Sequence, residues 1–254
     1  MIENVLITGA SSGLGAALAL AFAQGGTTLF LSGRDEERLK SVAKEAEECG
    51  ARVVTKTLDV TDAAAMEAWV RECNEAAALD LVIANAGISA GTGGGEETPE
   101  QAAAIFATNL GGVLNTVQPV AALMKKRGFG QIAIMSSLAG FRGLAGAPSY
   151  CASKAAVRVY GESLRDELAA YGVIVSVICP GFVETPMTGK NGFPMPFLMK
   201  PDKAAQIMKR GLEKGAARIA FPWRLSALVW LIAALPPSLT EKILTRLPRK
   251  KAVP

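Results

Sequence analysis

The chain predicts a doubly wound α/β fold, a parallel sheet with helices on both faces in one domain, and three observations predict it. Short apolar runs alternate with amphipathic stretches, a glycine-rich turn follows the first apolar run, and half of the 254 residues are apolar, enough for one large core. The first run, Val5-Leu6-Ile7-Thr8, is rich in strand formers; it enters Gly9-Ala10-Ser11-Ser12-Gly13-Leu14-Gly15, with a helix-like stretch over 16–22 behind it. The rhythm continues with strand-like 27–32 and helix-like 36–49, then 52–58 and 63–77, 81–84 and 100–127, 131–136 and 149–171, and a strand over 173–179. Strands separated by helices need crossover connections, which make the sheet parallel. Thr98-Pro99-Glu100-Gln101 gives the helix over 100–127 an N-cap, a first-turn proline and a capping glutamine. Just before it, Gly91-Thr92-Gly93-Gly94-Gly95 reads as a loop beyond the carboxyl end of a strand, suited equally to moving over a ligand or to lying in solvent.

Two local patterns carry chemistry. In the turn after the first strand, glycines let the backbone bend tightly and approach a ligand, while the free N–H groups and positive end of the next helix suit a pyrophosphate. Its spacing is Gly-x-x-x-Gly-x-Gly rather than Gly-x-Gly-x-x-Gly. The second pattern is Ser149-Tyr150-Cys151-Ala152-Ser153-Lys154 in a chain with no histidine, so proton transfer near neutral pH needs another carrier. Residues i and i+4 share a helix face, which puts the ammonium near the phenol. A phenol ordinarily loses its proton near pH ~10, and a neighbouring cation lowers that value.

In order and spacing these motifs resemble the short-chain dehydrogenase/reductase family, in its single-domain group of this length, over nearly the whole chain up to about Phe221. The resemblance implies a Rossmann-type sheet and a cofactor loop containing Gly9, Ser11, Ser12, Gly13, Leu14 and Gly15. It implies that Asp59 and Val60 flank the adenine, that Asn85, Ala86 and Gly87 close the fourth strand, and that Pro180, Gly181, Val183 and Thr185 touch the nicotinamide. Asn109, Ser137, Tyr150 and Lys154 match the catalytic tetrad, with thirteen positions from serine to tyrosine. The implied activity is reversible hydride transfer between a carbonyl and an alcohol, with a small-molecule substrate and a homodimeric or homotetrameric assembly. In it Tyr150 is the general acid and base, Ser137 binds the substrate oxygen, Lys154 holds the nicotinamide ribose, and Asn109 holds a water that links Lys154 to solvent. Read without the resemblance, Asn109 could cap or bridge helices and Ser136 or Ser137 could simply end a strand. A second functional class, a sensor that binds NADP without turning it over, is the alternative that the intact tetrad argues against.

Cofactor choice turns on the end of the second strand, where an acidic side chain would bind the ribose hydroxyls of NAD. The residues there are Leu31-Ser32-Gly33-Arg34: no acid, and an arginine whose planar guanidinium can fork onto a 2′-phosphate, so NADP is expected over NAD. A second basic residue common in NADP-using relatives is missing before Gly13, where Ser12 sits, and Arg34 could instead open a solvated helix with Asp35, Glu36 and Glu37.

After Pro180-Gly181, the residues Phe182, Met187, Phe193, Met195, Phe197, Leu198 and Met199 form an irregular apolar segment broken by Gly189, Gly192, Pro194 and Pro196. It suits a lid over a lipophilic substrate, or packing on the protein itself. Cys49, Cys73, Cys151 and Cys179 show no metal-binding spacing, so reduced thiols and no zinc or haem site are expected, with Cys151 a small buried thiol. The first strand starts within a few residues of Met1, which leaves no room for a cleavable leader and points to the cytoplasm. Residues 222–254 form an extension with six basic residues (Arg224, Lys242, Arg246, Arg249, Lys250 and Lys251) and one acid, Glu241, a net +5 in a chain of net +4. The remainder is therefore close to neutral and offers no nucleic-acid groove. The uncharged stretch 225–235 is too short to span a bilayer. With the basic cluster behind it, the extension suits a peripheral membrane contact, a subunit contact or a cover over the substrate cleft.

Overall fold

A computed structural model describes residues 2–89, 96–189 and 191–244, with side chains described to Glu241. Seven strands form one sheet: β1 (Asn4–Thr8), β2 (Thr28–Gly33), β3 (Arg52–Thr57), β4 (Leu81–Ala84), β5 (Gly130–Met135), β6 (Val173–Pro180) and β7 (Arg218–Phe221). Their spatial order is β3-β2-β1-β4-β5-β6-β7 and every pairing is parallel. The order reverses between β1 and β4, and a doubly wound sheet opens a crevice for ligands at such a point, beyond the carboxyl ends of the strands.

Alternation along the strands makes two cores. Val5, Ile7, Leu29, Leu31, Leu81 and Ile83 point to one face, covered by α1 (Gly13–Phe22), α2 (Glu36–Glu48) and α7 (Pro201–Glu213). Leu6, Phe30, Val82, Ile132, Ile134 and Val175 point to the other, covered by α3 (Ala63–Ala76), α5 (Gly112–Arg127) and α6 (Pro148–Ala169). Both faces are buried, so the central strands read as near-continuous apolar runs. Only the edge strand β3 is largely exposed. Trp69 of α3 is fully buried and meets Phe30 edge to face, with ring centroids 6.2 Å apart.

The helix expected over 100–127 is two helices joined by an irregular turn. α4 (Pro99–Phe106) starts with the predicted capping box, Thr98 Oγ1 accepting from the Gln101 N–H at 3.2 Å and the Gln101 side chain accepting from the Thr98 N–H. A single π-helical turn, Ala107–Gly111, then precedes α5. Gly112 explains why the chain can lie so close at this point, since a β-carbon there would overlap the Val60 side chain. The glycine loop over 91–95 lies outside the described residues.

Beyond β6, the sequence reading offered no elements. There α7 and β7 complete the sheet, and α8 (Trp223–Ala234) and α9 (Pro237–Leu244) follow. The extension touches the domain at two points. Leu225 packs with Leu138, Val177 and Cys179. Thr240 is buried, and its hydroxyl accepts a 3.0 Å hydrogen bond from the Arg142 guanidinium.

Candidate active site

The glycine turn is fixed by interactions between β1 and β4. Thr8 Oγ1 accepts from the N–H groups of Asn85 (3.1 Å) and Ala86 (3.2 Å), and the Asn85 amide donates to the carbonyls of Thr8 (2.9 Å) and Gly9 (3.1 Å). Two glycines have no substitute here. Gly9 has φ +66°, and a β-carbon on it would lie 2.8 Å from Ala86 Cα; one on Gly15 would overlap the Gly9 carbonyl and come within 2.6 Å of Asn85 Nδ2. Ser12 at the N-cap of α1 makes no side-chain capping bond, so the first-turn N–H groups remain available to a phosphate.

From this turn a cleft of about 730 Å³ runs along the carboxyl edge of the sheet. Every residue that the sequence nominated for cofactor binding lines it: Gly9, Ser11, Ser12, Gly13, Leu14, Gly15, Arg34, Asp59, Val60, Asn85, Ala86, Gly87, Pro180, Gly181, Val183 and Thr185. Ser137, Tyr150 and Lys154 line it as well. Asn109 does not, being fully buried behind it. At one end Arg34 Nη1 stands 3.6 Å from the Asp59 carboxylate, both side chains largely exposed. Partial burial works to raise the Asp59 carboxyl, but the Thr61 N–H and hydroxyl and the Arg34 charge together hold it below the usual carboxylate range. Arg38, which the sequence reading did not single out, lines the same end and is held by Asp35 at 2.5 Å.

At the other end α6 carries Tyr150 and Lys154 on one face. Lys154 Nζ lies 5.9 Å from the Tyr150 ring centroid and donates to the Met135 carbonyl at 2.9 Å. Burial pushes the Tyr150 phenol above its usual value, and the Ser137 hydroxyl, within hydrogen-bonding reach, pulls the other way. This is opposite to the direction expected from the lysine alone. The lysine responds to the same environment, burial bringing its ammonium down to about 8. Ser137 also accepts from the Ala139 N–H at 3.1 Å, and the neighbouring Ser136 is structural, its hydroxyl donating to the Lys154 carbonyl at 2.7 Å.

Asn109 sits in the π-turn with both amide hydrogens and its oxygen in hydrogen bonds. Its Oδ1 accepts from the Ile88 N–H (2.8 Å), and its Nδ2 donates to the Ile88 carbonyl (3.0 Å) and to Ser153 Oγ (3.0 Å). Ser153 donates in turn to the Tyr150 carbonyl at 2.8 Å, so the amide ties the segment after β4 to the helix of the tyrosine. A second tie that sequence reasoning missed is Glu97, whose carboxylate accepts from both the N–H (3.2 Å) and the hydroxyl of Ser149. It serves as the cap that α6 lacks within its own sequence.

The apolar segment after Pro180-Gly181 divides. Met187 lines the cleft, whereas Phe182 stacks edge to face with Phe193 at 6.0 Å and packs beside Leu225. Met199 packs on the core, and Phe197 and Leu198 are exposed. The cysteines are unpaired thiols, and burial raises that of Cys151. Among the described residues no cluster of histidine, cysteine or carboxylate side chains could hold a metal ion, and no helix is long and apolar enough to cross a membrane.

Comparison with known proteins bears on this geometry. The family model for short chain dehydrogenases matches residues 3–193. An uncharacterized oxidoreductase of Myxococcus xanthus is 42% identical over 247 residues, covering 96% of this chain and 97% of that one. A 3-oxoacyl-(acyl-carrier-protein) reductase of Thermotoga maritima is 35% identical over 214 residues, covering 80% of this chain and 87% of that one. A short-chain dehydrogenase from Sphingobium yanoikuyae, solved in complex with NADPH, superposes with a TM-score of 0.80 at 28% identity, covering 99% of this chain and 98% of that one. A Mycobacterium paratuberculosis neighbour of the same fold is solved with NAD. The chain is thus a member of the short-chain dehydrogenase/reductase family, an oxidoreductase built on a nicotinamide-binding Rossmann-type sheet.

Proposed function

We propose that this enzyme is an NADP-dependent oxidoreductase that interconverts a carbonyl and a secondary alcohol on a lipophilic small molecule, with Tyr150 as general acid and base. The observation that carries the reading is the convergence of Ser137, Tyr150 and Lys154 in the same cleft as the uncapped N-terminus of α1. The residues present fit a nicotinamide dinucleotide: a glycine turn with no room for side chains, free helix N–H groups, and Arg34 and Arg38 at the end where a 2′-phosphate would lie. That cofactor, when bound, supplies or accepts the hydride.

The protein's own residues have to place the carbonyl and handle one proton. Ser137 donates to the substrate oxygen, and Tyr150, a neutral phenol whose ionisation burial disfavours further, donates its proton as negative charge grows there. In the oxidative direction the phenolate takes the alcohol proton. The buried Lys154 ammonium favours that phenolate, and its bond to the Met135 carbonyl fixes where the charge sits. Asn109, through Ser153 and Ile88, holds the helix of the tyrosine in register with the strand ends.

Arg34 and the absence of an acid at Gly33 support NADP, and neighbours solved with NADPH and with NAD frame the alternatives. The reductase relative supports a carbonyl substrate. Met187 in the cleft wall supports a lipophilic one. The reading includes a homodimer or homotetramer, as the family resemblance implies.

Following NADPH absorbance across a panel of carbonyls tests the activity, and Tyr150→Phe tests the assignment. Turnover is expected to fall by roughly 10²–10⁴-fold, the usual contribution of a positioned acid, while NADPH binding persists. A variant that keeps most of its activity would refute the role of the phenol.

A further inference from the structure

We propose that the outward face of α8 and α9 is a docking surface for an anionic lipid bilayer. α8 buries only Leu225, and its opposite side is apolar and open: Trp223 is 73% exposed and Trp230 61%, with Leu228, Leu231 and Leu235 beside them. Leu239 of α9 is 65% exposed as well. Residues 225–240 contain no charged side chain. An apolar patch of this kind on a folded domain marks a surface that something covers.

Two observations identify the occupant. The first is charge. Arg224 is exposed at the start of α8, its guanidinium 5.4 Å from the Trp223 ring, and Lys242, Arg246, Arg249, Lys250 and Lys251 follow the patch in sequence. The extension therefore carries a net +5 in sequence, while the rest of the chain is close to neutral. Apolar burial plus a polybasic segment is the pair of signals that holds a protein on acidic lipid. A second copy on the same face would set two extensions of net +5 in one assembly, with no acidic counterpart in the extension beyond Glu241.

The second observation is anchorage. Leu225 is wedged against Leu138, Val177 and Cys179, and Thr240 is buried and bonded to Arg142, so each helix is pinned on its inner side with tryptophan and leucine left outward. At ~1.5 Å per residue α8 is about 18 Å long, short of the ~30 Å of a bilayer core, so it lies in the interface and does not cross it. Tryptophan is the side chain enriched at that depth.

Co-sedimentation of the full chain with phosphatidylcholine vesicles, and with vesicles in which about a third of the lipid is phosphatidylglycerol, tests this. The expected result is at least tenfold tighter binding to the acidic vesicles, weakened by salt. It should be lost in Trp230→Glu/Leu231→Glu and reduced in Lys250→Glu/Lys251→Glu, with circular dichroism and NADPH binding unchanged in both. A wild-type chain that stays in the supernatant overturns the proposal, as does equal binding to neutral and acidic vesicles. A fall in sedimentation mass in Trp230→Glu/Leu231→Glu without vesicle binding by the wild type overturns it too, and assigns the face to a second copy. None of these readouts depends on the substrate, so a wrong assignment of the reaction would leave them unaltered.

Discussion

Lys154 shows how a single buried side chain sets the pH range of this site. Its ammonium is depressed to about 8 by burial, while the Tyr150 phenol is raised. On raising the pH the lysine is thus the first of the two to lose its proton. In the carbonyl-reducing direction kcat/KM is expected to be flat below pH 8 and to fall tenfold per unit above it, and a stopped-flow or steady-state pH profile checks this. The sign for stability runs with proton binding. Between pH 8 and the ordinary lysine value near 10.5 the unfolded chain holds the proton that the native state has lost, so stability owed to this group rises with pH across that window. At the opposite end of the cleft, Arg34→Leu should raise the KM for NADPH about tenfold or more and leave that for NADH nearly unchanged, the difference expected from losing a charge-assisted contact to a phosphate. Both residues were visible in the sequence as spacing and identity. The direction of the Tyr150 shift was not, because four-residue spacing reports the neighbouring cation and says nothing of the depth at which both groups are buried.

At the scale of elements, the strands, the main helices and the glycine turn were legible because each depends on local pattern: alternation or apolar runs, capping residues, and a backbone that tolerates no β-carbon. Gly15→Ala illustrates how tightly the turn is drawn. The added carbon meets the Gly9 carbonyl and the Asn85 amide, so cofactor affinity should fall at least tenfold and Tm should drop, as read by fluorescence titration and a melting curve. The turn at Ala107–Gly111 was not legible, since one extra residue in a helix leaves the apolar periodicity on either side almost unchanged. Its effect is large, because it carries Asn109 to Ile88 and Ser153. The Glu97 cap on α6 was hidden for a different reason, joining residues 52 apart in sequence. Glu97→Ala is expected to cost about 1 kcal/mol, the usual worth of a lost cap, measured by urea unfolding.

At the scale of the whole molecule, the core under α3 and α5 and the end of the chain serve different purposes. That core holds Trp69, fully enclosed against Phe30, so Trp69→Ala should destabilise the protein by about 3–5 kcal/mol while leaving KM values in the remaining folded fraction close to those of the parent. The end of the chain is tied to the reaction instead. Gly181, in the segment proposed to meet the nicotinamide, has Leu225 and Pro222 within 2.9 and 3.0 Å of where a β-carbon would stand, and its N–H donates to the Phe221 carbonyl at 2.7 Å. A protein cut short before Trp223 would retain each group assigned to chemistry, and Phe221 and Pro222 with it, yet lose Leu225 from the wall behind Gly181. Through Leu225, α8 is on this view a buttress of the catalytic floor, and trimming it to improve solubility would trade away turnover.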